Sequence, residues 1–214
     1  MLLCMNISET QPVYLWFDME FTDLDPSRAR ILQVAALLTD AALQPLDETD
    51  RGLNFHVYLD PDAPVSEWVQ ENLAPLLQMC RTPQAVQPGA VEIMLTRYVD
   101  RLVGPAAEDI KARPAMAGNS VHSDWRLASI HYPALIDRLH YRLFDVSTLK
   151  QEWEGWWQQG EADKESAEWV QRNLPFEVPV IEGAVHDAYY DVLASIAELN
   201  FYRSQLKLAA TAET

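Results

Sequence analysis

The stretch Val13-Tyr14-Leu15-Trp16-Phe17-Asp18-Met19-Glu20 constrains this chain more than any other. Its β-branched and aromatic residues read as a buried strand, and the two-residue period of a strand gives it two distinct faces. Asp18 and Glu20 therefore project together from one face. Ionised carboxylates do not sit at a buried strand without partners. A divalent cation is such a partner, and carboxylate oxygens are hard ligands that suit Mg²⁺ or Mn²⁺.

Around this strand the pattern alternates. Ile31 to Thr39 and Leu53 to Leu59 are apolar and β-branched, and the polar, Pro-containing link between them predicts an antiparallel start to one sheet. Helical spacing runs from Glu67 to about Cys80 and again from Val91 to Val103, where Ile93, Met94, Tyr98 and Leu102 recur near the helical period. Met116-Ala117-Gly118-Asn119 reads as a short strand ending in a Gly turn, with a helix from Ser123 to His131 behind it. Tyr141 to Val146 reads as a further strand, followed by Ser147 and Thr148 as caps of a helix through Lys150. Asp187 to Leu206 predicts a long amphipathic helix with Val192, Ile196, Leu199 and Phe201 inward. Strands alternating with helices indicate an α/β fold. At 214 residues one domain suffices. We place it at residues 12–210, after an N-terminal extension at 1–11 and with a Trp-rich insertion near 153–182 that carries Trp153, Trp156, Trp157 and Trp169.

Charge narrows the function. Asp and Glu number 32 against 16 Lys and Arg, and the net charge of −16 opposes any long polyanion. Short anionic substrates stay open, provided that bound cations or a few basic side chains cancel the field locally. With 49% hydrophobic and 22% charged residues, the chain is globular rather than disordered or fibrous. Cys4 and Cys80 form no C-x-x-C pair and no disulfide framework, so a reducing compartment is expected. No run reaches the ~18 apolar residues of a membrane span, and the first residues lack the pattern of a leader. The expected location is the cytoplasm.

Further acids extend the motif. Asp124 follows Gly118-Asn119-Ser120, and Asp191 lies on the last helix with His186 five residues before it. Five residues on a helix rotate by roughly 140°, so His186 and Asp191 share a site only if His186 precedes the first turn. Taken singly, a D-x-E strand end is most often a solvated pair and a lone His a satisfied structural group. Their combination in this order is far more specific. Carboxylates converging from separate elements could hold two ions about 3.5–4 Å apart, an arrangement that serves phosphodiester cleavage.

Longer strings carry a resemblance. Phe17-Asp18-Met19-Glu20-Phe21-Thr22, Gly118-Asn119-Ser120 ahead of Asp124, His140-Tyr141-Arg142-Leu143-Phe144-Asp145-Val146-Ser147-Thr148-Leu149-Lys150, and the closing helix Tyr189 to Arg203 together resemble the DEDDh 3′→5′ exonucleases, and within them the oligoribonuclease branch. The resemblance implies an RNase H-like mixed β-sheet flanked by helices. It implies Asp18, Glu20, Asp124 and Asp191 as ligands of two divalent cations, Mg²⁺ or Mn²⁺, and His186 as the general base that deprotonates the attacking water. An imidazole suits proton transfer near neutral pH.

The same resemblance implies substrate contacts from Leu24 and Trp68 as wedge and stacking ring, from Ser120, Ser147, Thr148 and Arg142 around a terminal phosphate, and from Tyr141 across a homodimer. Core or surface packing is the alternative for Leu24 and Trp68, a plain strand position for Tyr141, and helix capping for Ser147 and Thr148. Four features depart from the family: Asp23 stands where Gly is usual, Leu193 where a basic residue is usual, Val69-Gln70-Glu71-Asn72 lacks a Thr-His pair, and the insertion is long. We expect the insertion to be a lid or a dimer flank. The expected activity is release of 5′-mononucleotides from the 3′ end of short oligoribonucleotides, chiefly dinucleotides. The alternatives are a DEDDh exonuclease acting on DNA ends or longer RNA 3′ tails, and a nucleotide-binding module without turnover.

Overall fold

A computed structural model describes residues 13–157, 160–179, 181 and 185–212. The expected extension at 1–11 lies outside the described residues, as do parts of the insertion. Five strands, β1 (Tyr14–Phe21), β2 (Ile31–Thr39), β3 (Leu53–His56), β4 (Ala115–Gly118) and β5 (Phe144–Asp145), form one sheet in the order β3-β2-β1-β4-β5. The β1–β2 and β2–β3 pairs are antiparallel, as the link between them predicts, while β1–β4 and β4–β5 are parallel. Among the described residues eight α-helices accompany the sheet: α1 (Glu67–Asn72), α2 (Ala74–Cys80), α3 (Pro88–Val103), α4 (His122–His131), α5 (Pro133–Ile136), α6 (Val146–Glu152), α7 (Ala167–Asn173) and α8 (Ala188–Ala212).

The central strands are covered on both faces, which is why their apolar runs are nearly unbroken. Leu15, Phe17 and Met19 of β1 pack with Val34, Ala36 and Leu38 of β2 against Val91, Leu95 and Tyr98 of α3 and Leu127 of α4. On the opposite face Tyr14 and Trp16 pack with Ala35 and Leu37 against Val192, Ile196 and Leu199 of α8. This is the RNase H-like arrangement, a mixed sheet between helices.

Several local expectations are corrected. The single helix at 67–80 is two, broken at Leu73 because Pro75 occupies the first turn of α2, where its missing N–H costs nothing. β3 stops at His56, after which Val57 makes a lone bridge to Val86. β5 is shorter than expected, since the N–H of Arg142 turns back to His140 Nδ1 at 2.8 Å. The cap of α6 is Asp145, whose Oδ1 accepts from the N–H of Ser147, so Ser147 and Thr148 lie inside the first turn. On α8 the buried aromatics are Tyr190 and Tyr202, with Phe201 half-buried against the same core. Within the described part of the insertion Trp153 and Val170 are buried against α8, the Trp153 ring 5.0 Å from that of Tyr202, while Trp156 is exposed.

Candidate active site

Asp18 and Glu20 continue the face begun by Tyr14 and Trp16, so β1 delivers both to the side covered by α8. The first turn of α8 carries Asp191. One carboxylate oxygen from each of Asp18, Glu20 and Asp191 lies within 4.8 Å of the others. Asp124 arrives from the opposite layer. Pairing between β1 and β4 covers Tyr14 to Trp16 only, which leaves later N–H groups on that edge of β1 open. Asp124 Oδ1 accepts the N–H of Met19 at 3.0 Å, tying α4 to the residue between Asp18 and Glu20. The turn after β4 needs Gly118, where a Cβ would come 3.0 Å from the carbonyl oxygen of Phe17.

The four acids are electrostatically strained. Burial first, then the charges of Asp124, Asp191 and Glu20, raise the Asp18 carboxyl well above the ordinary range. Burial, with Asp191, Asp124 and Asp187 behind it, pushes Glu20 up to about 8. Burial likewise pushes Asp124 to about 8 despite the N–H of Met19, and raises Asp191 despite the N–H of His186. Four carboxylates so close together repel one another, and a divalent cation held by these hard oxygens would offset that repulsion. The donor set therefore fits the ions that the motif implies. Lys164 of the insertion opposes the field at Asp18 and Asp191, and its carbonyl is held at 2.8 Å by the hydroxyl of Tyr190.

His186 precedes α8, as the five-residue offset requires. Its φ is 72°, in the left-handed region, and its N–H donates to Asp191 Oδ2 at 2.9 Å. Its ring stands edge-on to Trp68, with 5.2 Å between centroids. Beside it lies a cleft of about 500 Å³ lined by Glu20, Asp23, Leu24, Ser66, Trp68 and His186 among others. Leu24 is 88% exposed and Trp68 50% exposed, so neither is a core residue and both are free to meet a ligand. The added charge of Asp23 is answered by Arg28 at 3.2 Å.

The proposed phosphate residues divide. Ser120 and Ser147 meet, with 3.3 Å between hydroxyls, and Ser147 also donates to Asn119 Oδ1 at 3.1 Å. Thr148 is exposed one position further along α6. Tyr141 and Arg142 are exposed and contact each other, the guanidinium 5.5 Å from the ring centroid, and neither lines the cleft. Leu193 is buried in the α8 core. Sequence reasoning missed Gln33, Asp187 and Lys164. Gln33 was visible as a lone amide in an apolar strand, and Asp187 as an acid immediately before a helix; nothing local marks Lys164.

With this geometry in place, comparisons with known proteins are specific. The model of the family described as Exonuclease matches residues 15–199. The probable oligoribonuclease of Schizosaccharomyces pombe is 30% identical over 205 residues, covering 94% of this chain and 71% of that protein. The oligoribonuclease of Neisseria meningitidis is 29% identical over 199 residues, covering 91% and 92%. Among solved structures, a product-bound exonuclease I superposes with a TM-score of 0.61 at 15% identity, over 92% of this chain and 45% of that one. Escherichia coli exonuclease I in complex with a dA16 oligonucleotide gives 0.64 at 15% identity, over 91% and 41%. The chain thus spans less than half of those exonuclease I chains, and at these identities the likeness is one of fold.

Proposed function

From the premise that this chain belongs to the exonuclease family, we propose that it is a 3′→5′ exoribonuclease that releases 5′-mononucleotides from short oligoribonucleotides, dinucleotides among them, with Mg²⁺ or Mn²⁺. The observation that carries the reading is the gathering of Asp18, Glu20 and Asp191 oxygens within 4.8 Å, next to a cleft that holds His186 and the exposed Leu24 and Trp68.

Bound divalent cations, held by Asp18, Glu20, Asp124 and Asp191, would supply charge that offsets the phosphate oxygens in the transition state. His186 takes the proton of the attacking water at a ring nitrogen. The new P–O bond forms as the bond from phosphorus to the 3′ oxygen breaks, so the released nucleotide keeps a 5′ phosphate. Trp68 stacks on a base and Leu24 wedges beside it; stacking of this kind is sequence-tolerant and contributes about 1–3 kcal/mol per base. Ser120, Ser147 and Thr148 offer hydroxyls to the terminal phosphate, and Arg142 with Tyr141 would reach it from a second copy of the chain, which makes the working form a homodimer. The fork of Arg satisfies two phosphate oxygens together. The net charge of −16 favours short substrates. Cys80 is a free buried thiol, in keeping with a reducing cytoplasm.

The test is incubation of 5′-labelled RNA and DNA of two to seven nucleotides with Mg²⁺, Mn²⁺ or EDTA, following product length with time. Metal-dependent loss of single nucleotides from RNA, fastest for the shortest, is the expected result. Asp18→Asn or Asp191→Asn at the wild-type rate, or binding without cleavage, sinks the reading. Preference for DNA or longer RNA would reassign the substrate. A solution mass of 24.4 kDa, that of one chain, would remove the dimer.

A further inference from the structure

Gln33 is 1% exposed near the start of β2, and its in-register neighbour on β1 is Glu20. A buried amide is costly unless its polar atoms are partnered. Here Nε2 donates to Asn54 Oδ1 at 3.0 Å and to Asp187 Oδ2 at 3.2 Å, while Oε1 accepts the N–H of Ala188 at 3.2 Å. The other oxygen of Asp187 accepts from the N–H groups of Tyr189 at 3.0 Å and Tyr190 at 3.1 Å, capping α8. His186 is thus confined between a cap fastened to the sheet and Asp191, which receives its N–H. A left-handed histidine persists only where its surroundings over-determine it. Gln33 does not line the cleft beside Leu24 and Trp68, and its hydrogen bonds run to Asn54, Asp187 and Ala188.

We propose that Gln33, acting through Asp187, is a positioning residue that holds the His186 turn in its left-handed conformation and so aims the imidazole at the reacting water. The proposal rests on the reading of His186 as the base. Without the amide, Asp187 Oδ2 and the N–H of Ala188 lose their common partner and the turn relaxes toward negative φ. The ring then leaves its place beside Trp68 and Glu20, while the rest of α8 stays packed on the sheet.

The test is a mutant cycle on RNA dinucleotide hydrolysis in saturating Mg²⁺, with Gln33→Met and His186→Ala alone and together. Gln33→Met keeps side-chain length and removes every hydrogen bond. A misplaced catalytic group costs up to about a hundredfold, so Gln33→Met should lower kcat by about tenfold to a hundredfold with KM within about twofold. In the His186→Ala background it should change kcat by less than about twofold, because a residue acting through another has no effect once that other is gone. Equal losses in both backgrounds, or wild-type kcat in Gln33→Met, overturn the proposal. Wild-type kcat in His186→Ala instead overturns the base assignment on which it rests. Should Gln33→Met fail to fold, Asp187→Ser keeps a cap for α8 but not the reach to Gln33, and the same outcomes apply.

Discussion

Glu20→Gln should stabilise the metal-free protein at pH 7 while destroying its activity. In the metal-free fold Glu20 titrates at about 8 against an ordinary 4.5, because it is buried and faces Asp191, Asp124 and Asp187. A carboxyl raised in the folded state contributes its full stability below the unfolded value and loses it as pH climbs toward the folded one. At pH 7, the folded protein must hold a proton that the unfolded glutamate releases. Each decade of proton affinity is ~1.36 kcal/mol, so that uptake costs about 3 kcal/mol. Water in the cleft screens part of it, leaving about 2 kcal/mol. Glutamine has nearly the same shape and no such cost, and it also removes one of the charges that raise Asp18. For a chain of this size ~1 kcal/mol is worth ~2–4 °C, so the midpoint should rise by about 4–8 °C at pH 7 in EDTA. At pH 5, close to the ordinary glutamate value, the gain should shrink to about 1–2 °C. Scanning calorimetry at both pH values reads the difference directly. An equal gain at pH 5 and pH 7, or a loss at pH 7, would refute the reasoning. Excess Mg²⁺ should reverse the order, since only the wild type keeps all four ligands.

Three further outcomes follow from individual contacts. Trp68→Ala should raise KM for dinucleotides by about tenfold with kcat little changed, since a lost stack is worth ~1–3 kcal/mol; steady-state kinetics that instead show a fall in kcat alone would dissociate Trp68 from binding. Lys164→Met should tighten Mg²⁺ binding by about fivefold, because a partly exposed charge repelling the ions is worth about 1 kcal/mol; calorimetric titration with unchanged affinity would place the ammonium away from the ions. Gly52→Ala should destabilise the fold by about 2 kcal/mol or more. Gly52 has φ of 75° and an added Cβ would sit 2.3 Å from the Ala36 carbonyl oxygen, so a wild-type urea midpoint would contradict the turn geometry.

Much of the site is legible in the sequence because its signals are local. The alternation in Tyr14 to Glu20 already placed two acids on one strand face, and the five-residue offset already put His186 ahead of a helix. Both depend only on the periods of strand and helix, which any short stretch of chain reveals. The break at Leu73 and the Asp145 cap were also local, and Pro75 and an acid at a helix entrance are their marks.

Other features have no local mark. Gln33 and Asp187 are separated by 154 positions, and Lys164 sits in a stretch with no motif, yet packing of α8 on the sheet joins the first pair and ties Lys164 to Tyr190. The shared cleft of Leu24, Trp68, Glu20 and His186 likewise joins segments far apart in the chain. Periodicity states which face a side chain takes on its own element. Which faces then meet, and at what separation, depends on the packing of segments far apart in the chain, and that is settled by burial of the whole sheet and its helices at once.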